Sequence, residues 1–326
     1  MRLDGADAAA IEHAADLLAA GELVAFPTET VYGLGARADA DAAVAKIFVA
    51  KGRPADHPLI VHVNEAGDVG RFAASTPAVA QRLIDAFWPG PLTVILPRAA
   101  GIASAAAGGQ SSIGLRCPAH PVARALLAAA LRRGVPGVAA PSANRFGRIS
   151  PTLASHVSDE LGDALAVLDG GPCEVGIESA IVDCSRGHPV LLRPGLLTRA
   201  ALEAAAGEPL LEADADAPRA SGTLASHYAP RATLRLMPAQ MLHTALHMLG
   251  DEPLKLAVYS RGVPLAIARG VRHRRMPARA DQAAHELFSV LRELDAEGVQ
   301  LIWVEDPPPG PEWDGVRDRL LRAAAP

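Results

Sequence analysis

Leu23-Val24-Ala25-Phe26-Pro27-Thr28-Glu29-Thr30-Val31-Tyr32-Gly33-Leu34-Gly35 changes character midway. An apolar, strand-like run over 23–26 breaks into a turn loaded with hydroxyls and one carboxylate. Glycines at 33 and 35 admit backbone conformations closed to other residues and let the chain approach a ligand closely. Residues 41–51 then read as a helix that delivers a second cluster, Lys51-Gly52-Arg53-Pro54. Hydroxyls followed by cations about a strand end describe a site for a small polar molecule beside a phosphate.

Outward from this stretch the pattern is α/β. Residues 9–20 form an amphipathic helical pattern, with Ile11, Ala14, Ala15 and Leu18 on one face and Gly21 as the stop. Strand-like runs follow at 22–26, 59–63, 92–96, 113–116, 137–140, 165–168, 178–183 and 190–193. Helical patterns at 41–51, 77–87 and 120–132 fall between them, which indicates a sheet enclosed by helices. Short strands with irregular connections favour a mixed sheet.

Near residue 200 the character shifts. A helical, alanine-rich 199–208 gives way to an acidic, turn-prone Glu212 to Gly222. A second α/β pattern begins at 233–236 and continues as helix 238–248, strand 254–259, helix 280–297, strand 299–304 and helix 312–323. The expected organisation is a first domain over 1–204, a linker over 205–232 and a smaller second domain over 233–326.

Composition narrows the function classes. The chain has 326 residues, half of them apolar but only 4% aromatic, so its cores rest on Ala, Leu, Val and Ile. A net charge of −5 argues against a surface basic throughout that binds nucleic acid non-specifically. The three cysteines, Cys117, Cys173 and Cys184, have no C-x-x-C spacing and read as buried thiols. The N-terminus lacks an apolar signal core, and no uninterrupted apolar run of about 18 residues occurs. A soluble, cytoplasmic protein without a membrane span is expected.

The polar groups collect at strand ends, where open α/β sheets gather ligands. Thr28-Glu29-Thr30 can cap a turn or face a ligand. Lys51 and Arg53 suit either a helix C-terminus or a polyphosphate, Arg by its planar fork and Lys as a point charge. No Walker A loop is present. His62 alternates within the apolar run Leu59-Ile60-Val61-His62-Val63. Neither it nor His57 has metal-ligand spacing, and no metal site is expected. Arg116, in Ser111-Ser112-Ile113-Gly114-Leu115-Arg116, needs an anion from the protein or from a ligand. Ser142 and Asn144 close an apolar strand, Ser150 follows, and Glu178-Ser179 and Arg193 complete the set.

Taken together, PTETVYGLG (27–35), KGRP (51–54), WPGPLTVIL (88–96), GLRCP (114–118), PSAN (141–144), ISPT (149–152), GIES (176–179) and LLRPG (191–195) resemble the Sua5/YrdC/YwlC family. The added α/β domain and Ser226-His227-Tyr228-Ala229-Pro230 resemble its longer, two-domain Sua5 form. The resemblance implies a YrdC-like twisted mixed sheet with helices around a concave pocket, plus a smaller Rossmann-like C-terminal domain. It implies synthesis of threonylcarbamoyl-AMP and pyrophosphate from L-threonine, bicarbonate and ATP. The product would pass to a separate transferase complex that modifies A37 of tRNAs reading ANN codons. Direct tRNA binding is compatible with this scheme but not required by it.

Carried over motif by motif, Thr30, His62, Arg116, the backbone at Ala140, and Ser179 would hold threonine. Arg53, Ser112, Ser142, Asn144, Ser150, Arg193 and Tyr228 would contact ATP, and Lys51 would neutralise phosphate charge. Magnesium would arrive with ATP. The family pattern after KGRP has Asn before Pro-Leu, whereas this chain has His57, which is kept as an ATP contact because histidine still donates a hydrogen bond. Tyr228 as a nucleotide contact would make the 205–232 segment a lid. An RNA-binding module fits the charge balance poorly. A carbamoyl-transfer domain of the hydrogenase-maturation type would need zinc-finger pairs that the chain lacks.

Overall fold

The computed structural model describes residues 1–249, 255–263 and 270–325. Close contacts divide the chain into two units, one of Met1–Phe146 with Ser150–Thr223, the other of Gly147–Ile149 with Leu224 onward. The expected linker is thus shared: 205–223 packs with the first unit and 224–232 with the second.

In the first unit the strands are β1 (Arg2–Asp4), β2 (Val24–Phe26), β3 (Gly33–Arg37), β4 (Ile60–His62), β5 (Leu92–Pro97) and β6 (Ser112–Arg116). They continue as β7 (Val138–Ala139), β8 (Ala166–Asp169), β9 (Ala180–Asp183), β10 (Val190–Arg193) and β11 (Leu211–Glu212). They form one mixed sheet in the order β1-β8-β2-β3-β7-β4-β6-β5-β9-β10-β11. The helices are α1 (Ala8–Ala19), α2 (Asp41–Lys51), α3 (Ala78–Phe87), α4 (Pro121–Arg132), α5 (Ala154–Leu161) and α6 (Arg199–Ala206).

Small side chains let these layers close tightly. Ala14, Ala15 and Leu18 of α1 meet Leu126, Leu127 and Ala130 of α4 over Val24, Phe26 and Leu168. A larger core joins Val44, Ile47 and Phe48 of α2 to Leu83 and Ile84 of α3, with Leu34, Val61, Val94 and Leu115 from the sheet. Each buried Leu or Ile contributes about 1.5–3 kcal/mol, so these two clusters supply the main drive that fixes the sheet.

The opening stretch departs from its reading as a turn throughout. Gly33 and Gly35 lie in β3, paired antiparallel with β2, and neither has positive φ. A Cβ on Gly35 would stand 2.8 Å from ring carbon Cε1 of Phe26 and 2.8 Å from Cγ1 of Val138. The glycines are required by close packing inside the sheet. Other elements that the sequence did not announce are β1, β11, α5 and the edge strand at 272–275, which are short or polar and carry little periodic apolar signal.

The second unit holds β12 (Thr233–Met237), α7 (Ala239–Met248), β13 (Leu256–Ser260), β14 (Arg272–Arg275), α8 (Ala280–Ala296), β15 (Leu301–Glu305) and α9 (Asp314–Ala324). Its strands are all parallel, in the order β12-β15-β13-β14 among the described residues. Leu254, the first residue of the strand expected at 254–259, lies outside the described residues.

Candidate functional site

The site grows from the turn between β2 and β3. Thr28 Oγ1 donates to the Val31 carbonyl (2.6 Å) and accepts from the backbone N–H groups of Thr30 and Val31. That hydroxyl fixes the turn, as the capping alternative for Thr28 anticipates. Thr30 is thereby held fully buried, its Oγ1 2.8 Å from Thr28 Oγ1. Arg116, at the end of β6, donates to Thr30 Oγ1 at 2.8 Å and to Glu29 Oε1 at 2.6 Å.

The anion that Arg116 demands therefore comes from the protein. Glu29 also accepts from the Ala119 N–H (3.0 Å), and its own carbonyl is tied by Val175 N–H. Burial pushes the Glu29 carboxyl up, but the Arg116 charge and hydrogen bond outweigh it and hold it below the usual carboxylate range. From the sequence, Glu29 could cap a turn or face a ligand, and no protein partner was named for it. Its signal was the buried arginine across the sheet, visible only once β6 and the β2–β3 turn are brought together.

His62 ends β4, in register with Arg116 on the adjacent parallel strand. Its ring stands edge-on to Phe26, with centroids 5.8 Å apart. Burial, then the Arg116 charge, drives its pKa down to about 3, so the imidazole is neutral near pH 7. Its Nδ1 is buried without a hydrogen-bond partner, which leaves a polar atom for a ligand beside Arg116. The Ala140 N–H is already used by the Ile60 carbonyl (2.9 Å), so the carbonyl is its remaining backbone group.

A second knot links Ser179 and Arg193. Ser179 Oγ lies 2.8 Å from Thr93 Oγ1, and Arg193 donates to Ser179 through Nε to the carbonyl (3.0 Å) and through Nη2 to the hydroxyl (3.2 Å). Arg193 Nη1 reaches the Ser221 carbonyl at 2.7 Å. Residues 219–221 form a strap here. The Arg219 N–H donates to Gln110 Oε1, Gln110 Nε2 donates to the Arg219 carbonyl, and Arg219 pairs with Asp56 at 2.7 Å. Ala220 packs against Ile60, Ile95 and Ile181. Ser112, at the start of β6, lines this apolar slot together with Thr93 and Gly114. Ser112 also borders a cavity of about 470 Å³, with Ser111, Ser185, Arg186 and Arg219.

The third knot surrounds Lys51, the last residue of α2. The left-handed Gly52 (φ 62°) ends the helix, which suits the C-cap role of glycine. Lys51 is buried and donates to the carbonyls of Ser142 (2.6 Å) and Asn144. Burial, then the neighbouring Arg53, pushes its ammonium well below the usual lysine range, although Glu160 and Glu178 oppose this. Arg53 donates to the Pro58 carbonyl (3.0 Å) and lies over the Phe146 ring, which also meets the His57 ring at a near-right angle with centroids 5.4 Å apart. Burial, then Arg53, lowers the pKa of His57. Asn144 donates to the Arg145 carbonyl (2.7 Å), and Ser150 donates to Glu178.

Thus Thr30, His62 and Arg116 converge, Ser179 joins Arg193, and Lys51 joins Ser142 and Asn144. Ser150 meets Glu178, which with Thr93 and Glu29 belongs to quoted motifs but was not assigned to the site. Tyr228 lies in the second unit, its ring 5.4 Å from Phe288 and under the Arg319 guanidinium, and its φ is +63°. Cys117, Cys173 and Cys184 are buried free thiols, each held above the ordinary thiol range first by burial. Among the described residues, no helix is long and apolar enough to cross a membrane.

These features define an α/β protein whose mixed sheet gathers buried hydroxyls, a neutral histidine and cations at strand ends. The family described as telomere recombination (Sua5/YciO/YrdC) matches residues 16–195, and the threonylcarbamoyl-AMP synthase C-terminal domain family matches 197–325. The chain belongs to the Sua5/YciO/YrdC family. A threonylcarbamoyl-AMP synthase of Bacillus subtilis is 37% identical, over 96% of this chain and 92% of that protein. One from Pyrococcus abyssi is 36% identical, over 90% and 88%. A crystal structure of P. abyssi Sua5 complexed with L-threonine superposes with a TM-score of 0.88 at 34% identity, covering 98% of this chain and 95% of that one.

Proposed function

We propose that the protein is a threonylcarbamoyl-AMP synthase, an enzyme of tRNA modification. The observation that carries this reading is the buried Thr30–Arg116–His62 cluster, in a chain whose fold matches a Sua5 with L-threonine bound. Arg116, oriented by Glu29 and Thr30, receives the threonine carboxylate. His62, the Ala140 carbonyl and Ser179 complete that end of the site.

The threonine amine adds to bicarbonate with loss of water, giving a carbamate. A carbamate oxygen then attacks the α-phosphorus of ATP, and pyrophosphate leaves. Neither step needs a covalent enzyme intermediate, so the work is positioning and neutralising phosphate charge. Lys51 supplies that charge, with Arg53, His57, Ser112, Ser142, Asn144, Ser150, Arg193 and Tyr228 as nucleotide contacts. Magnesium would come with the nucleotide. The strap at 219–221, tied to Gln110, Asp56 and Arg193, supports a lid that keeps water from the labile adenylate. The adenylate then passes to a separate transferase complex.

The test is incubation of the purified protein with ATP, bicarbonate and individual amino acids, with pyrophosphate and threonylcarbamoyl-AMP measured. Both products should require threonine. Pyrophosphate release indifferent to threonine defeats the reading.

A further inference from the structure

Helix α7 turns two histidines toward each other. Leu242 and Leu246 are buried in the core of the second unit, which fixes the rotation of the helix. His243 and His247 follow them in sequence and stand one turn apart on the adjoining side, where positions i and i+4 are neighbours. Their Nε2 atoms are 3.2 Å apart and their ring centroids 4.4 Å apart. Two ring nitrogens at that separation cannot both carry a proton without repulsion, so at least one lone pair points at the other ring.

Metal–nitrogen bonds of about 2.0–2.1 Å place two cis or tetrahedral ligands roughly 2.9–3.4 Å apart. The imidazoles therefore already stand at the bite distance of a chelate. We propose that His243 and His247 form a bidentate site for a divalent transition-metal ion. Imidazole ligation favours copper(II) over nickel(II) and zinc(II) and disfavours magnesium and calcium, which prefer oxygen. Among the described residues, no third His, Cys, Asp or Glu is grouped with the pair. The remaining positions belong to water or to a ligand from another molecule. An ion bound here staples the last two turns of α7 and stabilises the second unit by mass action. Neither histidine belongs to the threonine or nucleotide groups, so the site is separate from catalysis.

Copper(II) alone, titrated into the purified full chain and its variants, tests this. The double variant His243→Ala/His247→Ala supplies the background from the other histidines. The parent should bind one additional equivalent, with two nitrogen ligands in the electron paramagnetic resonance spectrum and a raised unfolding temperature. Each single variant should weaken that equivalent by roughly 100-fold, because the second contact becomes intramolecular once the first is made. Adenylate synthesis should be unchanged in the double variant, since substitutions on an exposed helical face rarely disturb a fold. A single variant that binds as tightly as the parent, or a double variant that keeps the equivalent, overturns the site.

Discussion

Two of the buried cations of the first unit, Arg116 and Lys51, meet the same difficulty in opposite ways. Arg116 is matched by a carboxylate: Glu29 lies 2.6 Å from its guanidinium, and both side chains are nearly inaccessible. Lys51 is given only backbone carbonyls, and among the described residues it makes no ion pair. A buried charge costs several kcal/mol unless it is paired, so Arg116 is a fixed, compensated element, whereas the charged form of Lys51 is disfavoured, first by burial. The difference assigns work to each. The arginine orients a small ligand with almost no change in local charge, whereas the lysine is poised to be completed by an anion that arrives, as a phosphate does.

The largest effect that can break this contrast is on catalysis. Lys51→Met keeps the aliphatic packing and deletes the ammonium. It should lower kcat/KM for adenylate synthesis by about 10²–10³-fold, the range for losing one preorganised group at a developing charge. Its unfolding midpoint should equal or exceed that of the parent, because an amine whose charged form burial disfavours has gone. A Lys51→Met protein that unfolds far more easily while its surviving folded fraction remains active would make the lysine structural.

Glu29→Ala should behave in the reverse manner. It strands Arg116 in the interior and should cost about 3–5 kcal/mol in urea unfolding, along with a higher KM for threonine. The pH dependence sharpens the point. Glu29 is held below the ordinary carboxylate range and His62 at about 3, so in each case the unfolded chain binds protons that the folded chain refuses. Stability therefore falls as pH falls. The His62 contribution is lost from near pH 6.5, the ordinary imidazole value, down to about 3. The Glu29 contribution follows as pH drops through its lowered value. His62→Asn should flatten the upper part of that decline in urea titrations from pH 7 to 4, and an unaltered slope would remove His62 as its source.

Legibility in the sequence followed the same line between local and non-local causes. The helices at 41–51 and 121–132 and the strands at 92–97 and 190–193 could be read because their apolar patterns are local. A second α/β unit was anticipated from strand–helix alternation, but the edge strand of its sheet, Arg272–Arg275, shows no apolar face and passed unread. The glycines at 33 and 35 were legible as special positions but not for the right reason, since their neighbours Phe26, Val138 and Ala140 are set by pairing across the sheet. Arg116 could be singled out as needing an anion, yet Glu29 lies 87 residues away along the chain. The partner emerges only when β6 is laid beside the opening turn. Tyr228, read as a ligand contact on resemblance, shows a left-handed backbone that no pattern in the sequence foretells.

The smallest expected effect lies at His57, on the lysine side of the comparison. Its ring contacts Phe146, over which Arg53 also lies. Burial, then the Arg53 charge, lowers the pKa of the imidazole and so favours its neutral form. It therefore offers a phosphate at most one hydrogen-bond donor, whereas an asparagine amide offers two without titrating. His57→Asn should lower the KM for ATP about 2–10-fold, the worth of one hydrogen bond of roughly 0.5–1.5 kcal/mol, and leave the KM for threonine unchanged. Steady-state pyrophosphate release with each substrate varied in turn measures both. No change in either constant would place His57 outside the nucleotide site. A shift in the threonine constant alone would mean that the phosphate and amino-acid ends are not divided as the two buried cations suggest.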